Sequence, residues 1–306
     1  AKVIALAAAN DKPPRELAGY FRGLHAPPPI YAVPTTAGTG SEVTVAALIS
    51  DPAAGRKFMV ADTRIVPDMA ALDPTLMLAL PAAVTAATGM DALTHTVEAF
   101  ISGWATPHTD RLALAATGMI WQHLPRVVRD GSDLLSREKM ALASTFAGLA
   151  FTRANVGNVH ALAHQLGGRY HVPHGLANAI LLPQVLRFSL PNCAPRLARL
   201  AERVGVRGNG DKATAAKFID AVQALNDSIT IPRTLDALRD QDISELARDA
   251  CWEADTNYPV PRRMSQEDAE GLLRAVLPGA PRLATPRAAR KKPAARKPRA
   301  RSARKA

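Results

Sequence analysis

A change of hydrophobic period at Pro81 limits the folds open to this chain. Beyond it, apolar residues recur three and four apart through AAVTAATGMDALTHTVEAFIS, TDRLALAATGMIWQHLPRVV and REKMALASTFAGLAF, with short Gly, Pro and Ser breaks between. That spacing puts one apolar stripe on each helix, so the segment is expected to fold as packed helices. Further helices are predicted at Val159–Leu166, Cys193–Arg203, Thr214–Leu225, Ile243–Ala250 and Gln266–Val276. Upstream the pattern is mixed. It predicts a helix over Ala1–Asn10 ended by Pro13 and Pro14, then a short strand over Ile30–Val33. A Gly/Thr-rich loop and an apolar segment to Ile49 follow, and Arg56–Pro74 is expected to form two short strands around a turn. The fold class is therefore α/β plus all-α, with an α/β part over 1–80, an all-α part over 81–280 and a tail over 281–306.

Charge looks at first like a nucleic-acid signal, since the formal net charge is +11 over 306 residues. Ten of the lysines and arginines lie between Arg287 and Lys305 with no acid among them, which leaves only about +1 for everything else. The tail is low-complexity Ala, Pro, Lys and Arg and is expected to be disordered, because little in it is apolar enough to offset ordering entropy. Weak nucleic-acid contact through it is one expectation, to be weakened by salt. Two cysteines, Cys193 and Cys251, form no C-x-x-C pattern, which excludes a thiolate metal site and suits two reduced thiols. No apolar run approaches the roughly 20 residues of a membrane span, and no leader pattern is read, so the expected location is the cytoplasm and no membrane partner is expected.

Histidine placement carries the chemistry. Asp91 and His95 in D-A-L-T-H stand four apart, so a helix puts carboxylate and imidazole on one face. His160 and His164 in HALAH repeat the spacing, and His174 follows in VPHG. Carboxylate and imidazole without thiolate suit a divalent Fe, Zn, Mn, Co or Ni ion. Such pairs also arise as helix surface contacts, and position alone leaves both readings open. The loop TTAGTGSE, Thr35 to Glu42, has the Gly and Thr content of a phosphate cradle but matches neither G-x-G-x-x-G nor the P-loop pattern, so a plain turn stands beside that reading.

Taken together, PTTAGTGSEVT, RKF, ATGMDALTHTVEAF and NVHALAHQLGGRYHVPHGLANAILLP resemble the iron-containing (group III) alcohol dehydrogenase family in order and spacing, from Ala1 to about Val276. The resemblance implies a dehydroquinate synthase-like architecture with a helical metal-binding domain. It implies Asp91, His95, His160 and His174 as ligands of Fe2+ (alternatively Zn2+), and His164 as the proton-handling histidine. Thr35, Thr36, Thr39 and Lys57 would contact NAD(P), and Phe151 would line the substrate pocket. His171 matches no ligand position. The family's G-G-G-S-x-x-D-x-A-K phosphate motif is expected upstream, with Ala1–Lys2 as its last two letters. Half of the dinucleotide apparatus is then outside this sequence and affinity for NAD(P) is expected to be reduced. The implied activity is hydride transfer between a small alcohol or aldehyde and NAD(P), in a chain that the resemblance allows to form a homodimer. Two alternatives stand beside it: a truncated, inactive remnant that binds metal only, and nucleic-acid association through the tail.

Overall fold

The computed structural model describes residues 1–51 and 56–279, so the expected basic tail over 281–306 lies outside the described residues. The first helix, α1 (Lys2–Asn10), ends where Asp11 takes a left-handed conformation, two residues before the prolines. Five short strands follow: β1 (Gly19–Tyr20), β2 (Tyr31–Ala32), β3 (Ala46–Asp51), β4 (Arg56–Ala61) and β5 (Met69–Ala70). β4 runs parallel to β1 and antiparallel to β3 in a sheet of order β1-β4-β3, while β2 and β5 pair in parallel elsewhere. The two strands expected around one turn in Arg56–Pro74 are thus members of different sheets. Between them Asp62 caps a 3-10 turn by accepting from the Arg64 amide, and that turn redirects the chain. Val3, Leu6, Leu17, Val60 and Ile65 form a small core under the sheet.

From Ala82 onward every regular element among the described residues is helical. α2 (Ala82–Ile101) starts after Pro81, and α3 (Pro107–Arg129) has Pro107 in its first turn and a capping box between Thr106 and Thr109. α4 (Leu134–Ala154) is capped by Asp133, α5 (Asn158–Tyr170) starts after Gly157, and α6 runs from His174 to Arg203. α7 (Asp211–Ser228), α8 (Ile243–Asn257) and α9 (Gln266–Arg274) complete the set. Met90, Leu93, Phe100, Ile120, Leu124, Leu162, Leu166 and Phe218 are fully enclosed in one shared core.

The helix expected at Cys193–Arg203 is the second half of α6. Cys193 has φ −136° and ψ 17°, and the chain kinks there between Pro191 and Pro195. Each proline removes an amide donor and crowds the preceding turn, which explains the kink. Cys193 is buried, Cys251 half-buried, and both are free. No helix among the described residues is long and apolar enough to cross a membrane.

Candidate metal centre

α2, α5 and α6 meet at the site, and each contributes through its helical spacing. Asp91 and His95 project from one face of α2, His160 and His164 from one face of α5, and His174 is the first residue of α6. α6 can approach α2 this closely because residue 175 is glycine: a Cβ there would overlap the Ala87 carbonyl oxygen. Ligand-type atoms of Asp91, His160 and His174 all fall within 4.8 Å of one another. The Nε2 atoms of His160 and His174 stand 3.8 and 3.6 Å from Asp91 Oδ1. His95 is beside this set but outside that distance. Its ring stacks between Phe151, centroids 4.2 Å apart, and His160, 4.6 Å, and its Nδ1 is buried with no hydrogen-bond partner.

Glu98, one turn beyond His95 on α2, supports the site from behind. Its Oε2 accepts from His160 Nδ1 at 2.5 Å and from the Gly157 amide at 2.8 Å, and its Oε1 accepts from the Val159 amide at 2.7 Å. With Nδ1 donating to Glu98, His160 turns an Nε2 lone pair toward Asp91. Burial pushes the Glu98 carboxyl up to about 8, opposed by those donors. Asn178, one turn after His174, donates Nδ2 to Asp91 Oδ1 at 2.7 Å and lies 3.2 Å from Nε2 of both His160 and His174.

Burial holds all three imidazoles below their ordinary value, His160 well below it and His174 down to about 3. Neutral imidazoles gathered around one carboxylate keep their lone pairs available to a cation. The buried Nδ1 of His95, without a hydrogen-bond partner, leaves that imidazole free to act as a donor as well. These residues fit a divalent metal ion of the Fe or Zn kind.

Three more of the expected residues, His164, Lys57 and Phe151, adjoin this cluster. His164 stacks on His174, centroids 5.1 Å apart, and donates Nδ1 to Glu253 Oε1 at 2.6 Å. It opens on a cleft of about 660 Å³ lined also by Tyr20, Lys57, Phe58, Trp252 and Tyr258. The Lys57 ammonium faces Gly167 of α5; burial lowers its pKa against the opposing fields of Asp91 and Glu253. Phe151 is half-buried on α4 against His95.

Thr35, Thr36 and Thr39 lie on the loop between β2 and a short 3-10 turn, with Thr35 and Thr39 exposed and Thr36 half-buried. The loop docks on the helices through its glycines. A Cβ on Gly38 would meet Thr88 of α2 at 2.8 Å, and Gly40 donates its amide to Ser144 of α4 at 3.2 Å. His171 caps the end of α5 in a left-handed conformation and is exposed.

Four functional groups escape a reading of motifs alone. Glu98 and Asn178 carried a signal, since they stand three residues from His95 and four from His174 on the same helices. Glu253 and Tyr258 carried none, because packing of α8 against α5 brings them in from almost ninety residues away.

Residues 85–277 match the C-terminal domain model of the Fe-containing alcohol dehydrogenase family, and residues 1–74 match the model described as iron-containing alcohol dehydrogenase. A 1-propanol dehydrogenase, PduQ of Citrobacter freundii, is 47% identical over 213 residues, which is 68% of this chain and 58% of that protein. The NAD-dependent methanol dehydrogenase of Bacillus methanolicus is 38% identical over 90% of this chain and 74% of its own length. The crystal structure of a 1,3-propanediol oxidoreductase superposes with a TM-score of 0.86 at 41% identity, covering 90% of this chain and 73% of the other. The chain thus spans between about three fifths and three quarters of the length of these proteins.

Proposed function

The chain belongs to the iron-containing alcohol dehydrogenase family, and from that premise we propose that it transfers a hydride between a small alcohol and NAD(P) at a divalent metal held by Asp91, His95, His160 and His174. One observation carries the reading: Asp91 Oδ1, His160 Nε2 and His174 Nε2 converge, with both imidazoles held neutral, beside a cleft that His164 and Lys57 line. Fe2+ is the ion that the family name favours, and Zn2+ suits the same donors.

Bound there, the ion supplies Lewis acidity toward the alcohol or carbonyl oxygen, and the nicotinamide supplies the hydride chemistry. Asp91 contributes one negative charge against neutral imidazoles, so the site keeps a net positive charge for an oxygen ligand. Glu98 fixes the His160 tautomer, and Asn178 orients the Asp91 carboxylate by donating to one of its oxygens. Phe151 packs over His95 and keeps water from that side. In this reading the Thr35–Thr39 loop and Lys57 orient the cofactor. His164, whose Nδ1 proton goes to Glu253, has Nε2 available to take the alcohol proton. In the same reading residues 1–80 are the cofactor-side part and 81–280 the metal-binding domain. Two free cysteines suit a reducing cytoplasm.

The test is a coupled pair of measurements on the full chain loaded with Fe2+. Titration with NADH should quench protein fluorescence or enhance cofactor fluorescence saturably, and 1-propanol with NAD+ should yield NADH. Metal retained with no cofactor binding at millimolar concentration would reduce the function to metal binding alone.

A further inference from the structure

Glu253 sits where no sequence motif points, yet both of its oxygens are engaged at the edge of the cleft. Oε1 accepts from His164 Nδ1 at 2.6 Å and from the Tyr258 hydroxyl at 2.5 Å, while Oε2 accepts from Gln165 Nε2 at 2.7 Å. Three donors on one carboxylate hold it in a single orientation, and charge-assisted bonds of this length are among the stronger ones in a protein interior.

The elements behind Glu253 are themselves tied down. Tyr258 caps α8, its amide donating to the Ala254 carbonyl at 3.0 Å. The segment after it is pinned to the helical core: Asn155 Nδ2 donates to the Asn257 carbonyl, Gly103 to the Pro259 carbonyl and Asn158 Nδ2 to the Arg262 carbonyl. Burial and the neighbouring Glu253 hold the Tyr258 phenol well above its ordinary value, so the hydroxyl remains a donor. Gln165 is held on its other side by the Ala161 carbonyl at 3.2 Å.

We propose that Glu253, braced by Tyr258 and Gln165, is a positioning residue that fixes His164 as the Nδ1–H tautomer and aims its Nε2 into the cleft. An imidazole that donates from Nδ1 must present a lone pair at Nε2, so one hydrogen bond sets both tautomer and direction. Without the carboxylate, stacking on His174 would hold the ring plane but leave the tautomer unset. The inference rests on the role given to His164 above and concerns how the fold prepares that residue.

Long-range 1H–15N correlation spectra of the imidazoles in the full chain test it, with the His164→Gln variant assigning the signal. The wild-type chain should show His164 protonated at Nδ1 only, with that proton far downfield. Glu253→Gln, nearly isosteric, should keep the tautomer through its amide oxygen but move the proton upfield, since a neutral acceptor replaces a charged one. Glu253→Leu should give a mixture of both tautomers. An Nε2–H tautomer in the wild type, or a Glu253→Gln spectrum identical to it, would overturn the proposal, and either result stands even if Glu253→Leu does not fold. These spectra need neither metal nor cofactor, so failure of the hydride-transfer reading leaves them decisive. In a turning-over enzyme, Glu253→Leu should lower kcat at least tenfold with KM little changed, and Glu253→Gln should restore part of it.

Discussion

Glu98 Oε2 lies 2.5 Å from His160 Nδ1, and the same carboxylate also accepts two backbone amides at the start of α5. A single buried side chain thus joins the helix that carries Asp91 to the turn that aims His160. Gly157 is part of this arrangement, since a Cβ there would come within 2.9 Å of Glu98 Oε1.

Glu98→Gln should therefore weaken divalent-metal affinity by about 10- to 100-fold, the usual cost of removing a carboxylate behind a ligating histidine. Competition with a chromophoric chelator measures it. Affinity equal to that of the wild type would mean that Glu98 serves α5 alone.

Acid should destabilise the metal-free chain. The imidazoles of His95, His160 and His174 have folded pKa values below the unfolded 6.5, so the unfolded state binds more protons under acidic conditions. Their contribution is fully present above about pH 6.5, declines as pH falls through that value, and for His174 goes on declining toward about 3. His174 alone should cost about 2 kcal/mol at pH 5. Urea midpoints across pH 5 to 7.5 check this, and a midpoint independent of pH would remove the assignment of neutral buried histidines.

Lys2 gives the opposite end of the pH scale. Burial lowers its pKa to about 8, while its ammonium donates to the Thr44 carbonyl at 2.6 Å and to Thr44 Oγ1 at 3.1 Å. Between about pH 8 and 10.5 the unfolded chain binds the extra proton, so stability should rise with pH by up to about 3 kcal/mol from this group. Lys2→Met should flatten that rise in a series of unfolding curves.

Gly40→Ala should destabilise the chain by about 3 kcal/mol, combining a left-handed backbone with overpacking. Gly40 has φ +56°, and a Cβ there would lie 2.6 Å from Gly148 Cα, which is backbone and cannot turn aside. Chemical denaturation measures the loss; a change under 1 kcal/mol would mean that the loop is not seated on α4 as described.

Much of the site was legible because helical period turns sequence spacing into a shared face. That rule alone put Asp91 with His95, and His160 with His164, on shared faces, while a ligand role for them came only with the resemblance. Less of the fold was legible where tertiary packing overrides local pattern. β1 is two residues long, Gly19–Tyr20, and exists because β4 lies beside it. α6 passes through Pro183 with its helical geometry intact, which burial of Leu181, Leu182, Val185 and Leu186 favours over local propensity. Glu253 and Tyr258 reach His164 only through the packing of α8 on α5. Sequence spacing has no access to that.

Metal stoichiometry decides whether Asp91, His95, His160 and His174 form one divalent-metal centre. After reconstitution with Fe2+ or Zn2+ and removal of loosely bound ion, elemental analysis should find about one ion per wild-type chain and almost none in His160→Ala or Asp91→Ala, with near-native circular dichroism in each. Equal metal content in wild type and His160→Ala would show that these residues do not share an ion.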